Sequence, residues 1–196
     1  MFLFSIYYVT CSQLGSSEEA ITVRGNFSSK IVKIVETILQ LKHQEPDVKI
    51  IIFSHWDPIL TMLARALDQN DITYRAKTTK FYKGIEEFKD YRNAVTCMLL
   101  PLKYGSKGLN LTEATHVFLV EPILNPGEEL QAVGRVHRIG QTKPTFVHRF
   151  IVQKTIEETI HQTIQNDQSG LWSSKQVTVR HLEQLFQLED DEIVLY

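Results

Sequence analysis

Apolar positions alternate between two spacings along the chain, and this alternation predicts helices and strands in turn. From Ser28 to Leu41 apolar side chains recur every three or four residues, which is typical of an amphipathic helix. Residues 49–54 form a short, continuous run rich in isoleucine, as expected for a strand covered on both faces. Asp57 as an N-cap and Pro58 in the first turn then predict a second helix. The predicted core residues of the two helices are Ile31, Ile34, Val35, Ile38 and Leu41 in the first, and Leu60, Leu63, Ala64 and Leu67 in the second.

The same alternation continues beyond the second helix. Further strands are predicted at 72–74, 95–100, 116–120 and 145–151, and further helices at 82–91, at 128–138 and from about residue 155. Repeated strand and helix units predict an α/β fold, with three layers and a mainly parallel central sheet, followed by a short helical extension. We predict three parts: a connector or strand at 1–27, the α/β lobe at 28–165, and a linker, short helix and acidic tail at 166–196.

Composition limits the function classes without choosing among them. The 196 residues are 43% hydrophobic and 22% charged, enough for one medium domain with a core. The formal net charge is −2, so contact with nucleic acid would require a local basic patch. Cys11 and Cys97 are far apart and form no C-x-x-C pair, so we predict no disulfide framework, no metal site and a reducing compartment. No membrane segment is predicted, because the first ten residues are apolar but favour a strand.

Two arginines carry the most specific candidate chemistry. Arg135 and Arg138 stand three residues apart in the segment QAVGRVHRIGQ at 131–141, so a helix through both would place them on one face. Two guanidinium groups on one face suit a polyphosphate. An isolated R-x-x-R pair is more often a solvated basic face. The surrounding residues therefore have to distinguish such a face from a polyphosphate site.

Two further segments follow predicted strands. In LKYGSKGLNL at 102–111, Gly105 and Gly108 flank basic side chains, and glycines let backbone amides approach a phosphate closely. Such a spacing alone fits an ordinary turn equally well. FSHW at 53–56 follows the first predicted strand. No G-x-x-x-x-G-K-[ST] phosphate loop occurs in the sequence.

Together these three segments resemble motifs IV, V and VI of superfamily 2 helicases, with FSHW as motif IV, LKYGSKGLNL as motif V and QAVGRVHRIGQ as motif VI. The HRIGQ string is characteristic of Swi/Snf-type chromatin-remodelling translocases, and the resemblance runs from about residue 28 to 161. It implies the second RecA-like lobe of a double-stranded-DNA translocase, with ATP and Mg held mainly by a first lobe. A narrower resemblance, through TEATHVFLVEPILNP and TIEETI, is to helicase-type ubiquitin ligases of the nucleus. Their RING, which would receive a ubiquitin-conjugating enzyme, does not occur in this sequence, because two cysteines cannot form a two-zinc site.

The resemblance also implies roles for individual residues. Arg138 would be the arginine finger of ATP hydrolysis and Arg135 its companion. The residues implied to line the nucleotide are Gly108, Asn110 and Gln131. Those implied to bind DNA, through its sugar-phosphate backbone, are Ser54, His55, Lys103, Tyr104, Gly105 and Lys107. The implied partners are double-stranded DNA or chromatin. Without a phosphate loop, the chain alone is not expected to hydrolyse ATP.

Departures from the family pattern leave two alternatives open. The segment RAKTTK at 75–80 lacks the usual glycine, and Lys103 and Tyr104 replace the usual arginine and small residue. These changes favour, as one alternative, a non-catalytic lobe that holds a ubiquitin-ligase assembly. The other is a free-standing nucleotide-binding protein, which does not explain why motifs IV and V accompany motif VI.

His116 and His148 lie in apolar strands and are predicted to be core residues rather than ligands.

Overall fold

Six parallel strands form one sheet in the computed structural model of the chain, which describes residues 4–11, 21–77, 80–106 and 108–165. The strands are β1 (Phe4–Cys11), β2 (Ile50–Ser54), β3 (Tyr74–Ala76), β4 (Cys97–Pro101), β5 (His116–Leu119) and β6 (Thr145–Val152). Their spatial order is β1-β6-β5-β2-β4-β3, and every neighbouring pair is parallel. Lys107 and the linker, last helix and tail predicted at 166–196 lie outside the described residues.

Helices cover both faces of this sheet, as the sequence predicts. They are α1 (Ser29–Gln44), α2 (Asp57–Gln69), α3 (Phe81–Lys89), α4 (Pro126–Val133) and α5 (Ile156–Gln165), with 3-10 turns at Tyr91–Asn93 and Leu102–Ser106. Side chains of α1 and α2 pack on one face of the sheet, and side chains of α3 and α4 pack on the other. The three-layer α/β fold is therefore confirmed.

The continuous apolar run of β2 serves both cores at once. Successive side chains of a strand point to opposite faces, so Ile50 and Ile52 join the core beneath α1 and α2. Ile51 and Phe53 join the core beneath α3 and α4. Each of the four is fully buried or nearly so, which is why the run does not alternate with polar residues.

Details around α2 and β3 differ from the prediction. Asp57 is the first residue of α2 rather than its cap; Trp56 occupies the cap position and its side chain makes no capping bond. Ala66, not Ala64, is buried in that helix. The strand predicted at 72–74 begins instead at Tyr74, because Asp71 adopts a φ of +54° and the Ile72 amide bonds back to the end of α2.

The N-terminal segment contributes to the sheet of the lobe. β1 pairs along its whole length with β6, from Phe4 opposite Thr145 to Cys11 opposite Val152. The sequence favours a strand here, and the structure agrees. The predicted boundary at residue 27 separated this strand from the lobe, whereas the pairing joins it to the lobe's edge.

His116 and His148 form a buried pair between β5 and β6. Their ring nitrogens lie 2.9 Å apart, and Phe146 and Phe118 pack against the rings. Burial lowers the pKa of His116 to about 4 and, together with the neighbouring His116, that of His148 to about 3. The prediction that both are satisfied core residues is confirmed.

This pair is expected to make the fold sensitive to acid. The unfolded chain binds protons at these histidines below about pH 6.5, whereas the folded chain does not until about pH 4. Their contribution is therefore complete above pH 6.5 and is lost as the pH falls, by about 1.4 kcal/mol per histidine per pH unit. Urea denaturation should show that the free energy of unfolding falls less between pH 6 and pH 5 in His148→Gln than in the parent. The control His43→Asn, at an exposed position, should show the same pH dependence of stability as the parent. If His148→Gln also keeps that pH dependence, the buried histidine pair is not its source.

None of the helices in the described part of the chain has the length and apolar character needed to cross a membrane.

Candidate functional site

The two arginines of motif VI do not lie on a helix. α4 starts well, with Asn125 accepting a hydrogen bond from the Gly127 amide at 2.9 Å and Pro126 in the first turn. It ends at Val133, and the Arg135 amide then bonds three residues back to Ala132 at 3.2 Å. The predicted helix through residue 138, with both arginines on one face, is therefore wrong. Arg135 is half-buried and Arg138 is exposed, each in a turn.

The loop that carries these arginines lies at the amino-terminal edge of the sheet. It connects the end of α4 to the start of β6, and residues before β5 hold it in place. Ligands of open α/β sheets commonly bind at the opposite edge, beyond the carboxyl ends of the strands. Because α4 crosses the sheet in the opposite direction to β5, motif VI reaches the other edge.

Gln141 fixes this loop to the segment that directly follows motif V. Its side chain is only 3% exposed, and its amide nitrogen donates to the carbonyls of Thr112 and Ala114, each at 2.9 Å. Its oxygen accepts from the Lys143 amide at 2.9 Å. Gln141 stands in the motif VI segment, but the residue-by-residue prediction gave it no role. A polar residue that closes a motif and is followed by a strand is the signal that could have indicated it.

A backbone hydrogen bond joins motifs V and VI directly after Asn110. The Leu111 amide donates to the Arg135 carbonyl at 3.0 Å, so Asn110 immediately precedes this junction. Gly108 has a φ of +65° with open space where a Cβ would be, which explains the glycine as a turn residue and leaves its backbone accessible. Asn110 and Gln131 are exposed. The structure thus brings the predicted nucleotide residues towards the arginine loop.

Most of the residues predicted to contact DNA gather at the opposite, carboxyl edge. β2 and β4 are neighbours with Ser54 opposite Pro101, so the segments after them are adjacent. His55 and Lys103 are exposed there. Tyr104 is half-buried, with its ring 5.2 Å from that of Phe81 and 5.1 Å from the ammonium of Lys77. Gly105 lies in the same 3-10 turn.

Ser54 is an exception, because it is 1% exposed and its hydroxyl is already engaged. It donates to Glu121 at 2.6 Å and accepts from the Trp56 amide at 3.0 Å. A direct contact of this side chain with DNA does not fit its burial. Ser54 instead shapes the motif IV loop from beneath.

Glu121 is the partner that sequence reasoning missed. It follows β5 and accepts hydrogen bonds from Ser54 and from the His55 amide, at 2.6 and 3.3 Å. Burial raises the pKa of this carboxyl, while the hydrogen bonds from Ser54 and His55 oppose the rise. Glu121 stands in the segment THVFLVEPILNP, immediately after the apolar run, where an acidic residue at the end of a buried strand signals a local partner.

The two clusters are linked through motif V. Its 3-10 turn lies at the carboxyl edge beside the DNA-contact residues, and residues 108–111 lead from there to the arginine loop at the amino edge. Among the described residues no group of three His, Cys, Asp or Glu side chains could hold a metal ion. The exposed side chains of Lys103 and Arg138 and the accessible backbone at Gly108 suit phosphate oxygens.

Comparison with protein families matches residues 29–140 to the helicase conserved C-terminal domain. The chain belongs to this family. The narrower resemblance is to the E3 ubiquitin-protein ligase SHPRH, and it is confirmed at 42% identity for the mouse protein and 41% for the human one. Each comparison covers 96% of this chain and 12% of the relative. DNA repair protein RAD5B of Arabidopsis thaliana is 35% identical over 81% of the chain and 13% of its own length.

The fold has a solved counterpart. The crystal structure of the C-terminal part of the Fun30 ATPase domain superposes with a TM-score of 0.63, covering 77% of this chain and 47% of the other. The two sequences are 24% identical, so this likeness concerns the fold. It confirms the RecA-like α/β lobe. The chain spans only about an eighth of the curated relatives that it matches.

Proposed function

We propose that this chain is the second motor lobe of an ATP-dependent double-stranded-DNA translocase of the chromatin-remodelling type, in a SHPRH-like DNA-repair ubiquitin ligase. The observation that carries the proposal is the joint between motifs V and VI. The Leu111–Arg135 bond and the buried Gln141 tie the segment that begins beside Lys103 to the loop that presents Arg138. Hydrogen-bonded networks between two sites can carry the coupling of ATP hydrolysis to DNA movement.

At the amino edge, the proposal gives Arg138 the role of arginine finger. Its exposed guanidinium is available to a partner lobe, and a finger stabilises charge that develops on the transferring phosphoryl group. Arg135, half-buried and held through its carbonyl, would orient the loop and contact phosphate as the companion. ATP and Mg would be held mainly by the first lobe, with Gly108, Asn110 and Gln131 lining this side of the cleft.

At the carboxyl edge, the proposal assigns the DNA contacts to exposed cationic groups and backbone. His55 follows β2 and Lys103 follows the neighbouring strand β4, and both side chains are exposed. Gly105 and Lys107 belong to the same motif V segment as Lys103. Contacts to phosphates carry no base information, so the lobe would follow duplex DNA regardless of sequence. Glu121 would act through Ser54 and His55 by fixing the motif IV loop.

The remaining assignments concern the parent protein. By analogy with the ubiquitin ligase and DNA repair relatives, we place it in the nucleus, with a RING outside this chain that binds a ubiquitin-conjugating enzyme. One observation favours the alternative of a non-catalytic interaction lobe. The ring of Tyr104 is packed against Phe81 where the family has a small residue, which fills space beside the predicted DNA backbone.

A charge-removal experiment tests the DNA role. In a protein that joins this lobe to its first lobe, Lys103→Ala with Lys107→Ala is expected to weaken binding to duplexes of different sequence about equally. The plot of log affinity against log salt should become shallower by about 2, because each lost phosphate contact contributes about 0.9. Fluorescence anisotropy across a salt series measures both quantities.

The control for this experiment removes two lysines from the opposite edge. Lys42→Ala with Lys143→Ala makes the same change in net charge, and Lys143 lies next to Gln141, far from β2 and β4 carboxyl ends. Its salt dependence should match the parent. A loss confined to one DNA sequence, or an equal loss in the control, would argue against backbone tracking.

A further inference from the structure

Lys30 on α1 joins the last described helix, α5, to the carboxyl edge of the sheet. Its ammonium donates to the two carboxylate oxygens of Glu157 at 2.6 and 2.7 Å, and to the Val120 carbonyl at 2.7 Å. All three N–H donors of the ammonium are therefore engaged. The Lys30 side chain is 12% exposed and that of Glu157 is 24% exposed, so this ion pair is largely shielded from water.

Val120 links this ion pair to the motif IV loop. Its amide donates to a carbonyl of β2 at 3.1 Å, and the next residue, Glu121, accepts hydrogen bonds from the Ser54 hydroxyl and the His55 amide. Burial raises the pKa of Glu121, and the nearby Lys30 ammonium opposes this rise together with those hydrogen bonds. Lys30 therefore acts on this segment both through a hydrogen bond and through its charge.

Polar contacts at the first turn of α5 help to hold this helix on the lobe. Besides binding Lys30, the Glu157 carboxylate accepts from the Val152 amide at 3.0 Å. Each of the ten residues of α5 keeps part of its surface exposed. A helix that buries so little opens at a lower free energy than the core of its domain. Loss of the Glu157 contacts should therefore loosen α5.

Two carboxylates lie within reach of the Lys30 charge. In the structure Lys30 pairs with Glu157, and the oxygens of Glu121 bind Ser54 and His55. If α5 detaches, the shielded ammonium loses its counterion, which is costly away from water. Glu121 can replace that counterion, but Lys30 then competes with the motif IV loop for the same oxygens. One cation with two alternative partners is an element with two states.

We propose that the docking of α5 controls the motif IV loop through Lys30. With Glu157 bound, Glu121 holds the loop and keeps His55 in place to contact DNA. With α5 detached, the loop is loosened and the affinity for DNA falls. The effect on DNA rests on the proposed function, whereas the coupling between α5 and the loop does not. A partner that binds α5 only in its detached state would weaken DNA binding, because linked equilibria are reciprocal.

Trp56 fluorescence tests this coupling in the full chain without DNA. The Trp56 amide donates to the Ser54 hydroxyl at 3.0 Å, so the residue reports on the loop. Trp172→Phe leaves it as the one tryptophan in the sequence. In that background Glu157→Gln should shift the emission to longer wavelength and increase quenching by acrylamide. The reason is that the NH₂ group of glutamine would face the Lys30 ammonium and loosen α5.

Glu158→Gln is the matched control, because it makes the same change in charge one residue further along α5. The Glu158 carboxylate accepts from the Lys154 amide at 2.8 Å, a bond that glutamine can keep with its one oxygen. Trp56 should then behave as in the parent. Thr155→Ala is a milder variant in which α5 loses its capping hydroxyl but no charge. It should shift Trp56 in the same direction as Glu157→Gln, by less.

A double-mutant cycle distinguishes control through Lys30 from a general loss of packing. In a Lys30→Met background, Glu157→Gln should have no further effect on Trp56, because the cation that carries the effect is gone. An equal shift with and without Lys30 would overturn the proposal.

Duplex affinity in a protein that carries both lobes tests the consequence for DNA. Glu157→Gln and Glu158→Gln each remove one negative charge, which by itself strengthens binding to phosphates. The coupling predicts the opposite for Glu157→Gln alone, about fivefold weaker binding by fluorescence anisotropy. If Trp56 shifts but the affinity does not fall, the coupling stands and the DNA contact of His55 fails. If neither Glu157→Gln nor Thr155→Ala shifts Trp56, the coupling fails and the DNA assignment is untouched.

Discussion

Replacing Arg138 with alanine is expected to lower DNA-stimulated ATP hydrolysis about a thousandfold in the protein that carries both motor lobes. The loss should fall on the chemical step, because a finger contacts charge that is present mainly in the transition state. Arg138→Lys should recover little activity, since an ammonium lacks the planar fork that can bridge two phosphate oxygens. Single-turnover hydrolysis measures the effect.

Folding should be unaffected by this change, because the Arg138 side chain is exposed in a turn. Thermal melting and duplex affinity are therefore measured beside the rate and should match the parent. Arg65→Ala, which removes an exposed arginine from α2, is the matched control and should retain full activity. Unchanged hydrolysis in Arg138→Ala would favour the non-catalytic interaction lobe instead.

Replacing Gln141 with leucine should have the largest effect on stability, lowering the free energy of unfolding by about 3 kcal/mol. The substitution removes two hydrogen bonds of 2.9 Å and leaves the carbonyls of Thr112 and Ala114 without their donor. The buried setting makes each unsatisfied carbonyl costly. Urea denaturation of the full chain measures the loss.

Two companion variants separate the hydrogen bonds from side-chain volume. Gln141→Glu preserves the shape but points an oxygen at both carbonyls, so it should be at least as destabilising as the leucine. Gln40→Leu makes the same substitution at an exposed position of α1 and should change stability by less than about 0.5 kcal/mol. If Gln141→Leu behaves as Gln40→Leu does, the joint between motifs V and VI does not depend on this side chain.

Local patterns determined most of the fold. The spacing of apolar residues in α1 and the continuous apolar run of β2 show by themselves which faces of each element are buried. Both elements could therefore be predicted without knowing what packs against them. The same holds for the parallel arrangement, because strands separated by helices can pair in that way without long loops. The three helicase motifs could also be recognised in the sequence, because each is a continuous segment.

Only the tertiary structure decided how those segments meet. Ser54 is buried at the end of the central strand β2, and Glu121, which accepts its hydrogen bond, lies 67 residues away in sequence. Gln141 bonds to a carbonyl 29 residues away. α4 ends at Val133 instead of continuing to Arg138, and it delivers motif VI to the amino edge. No local pattern encodes such partners or the edge that a loop reaches, because both depend on the order and direction of strands that are distant in the chain. The sequence by itself therefore determined which segments carry the chemistry, and the packing of the sheet decided where each of their side chains lies.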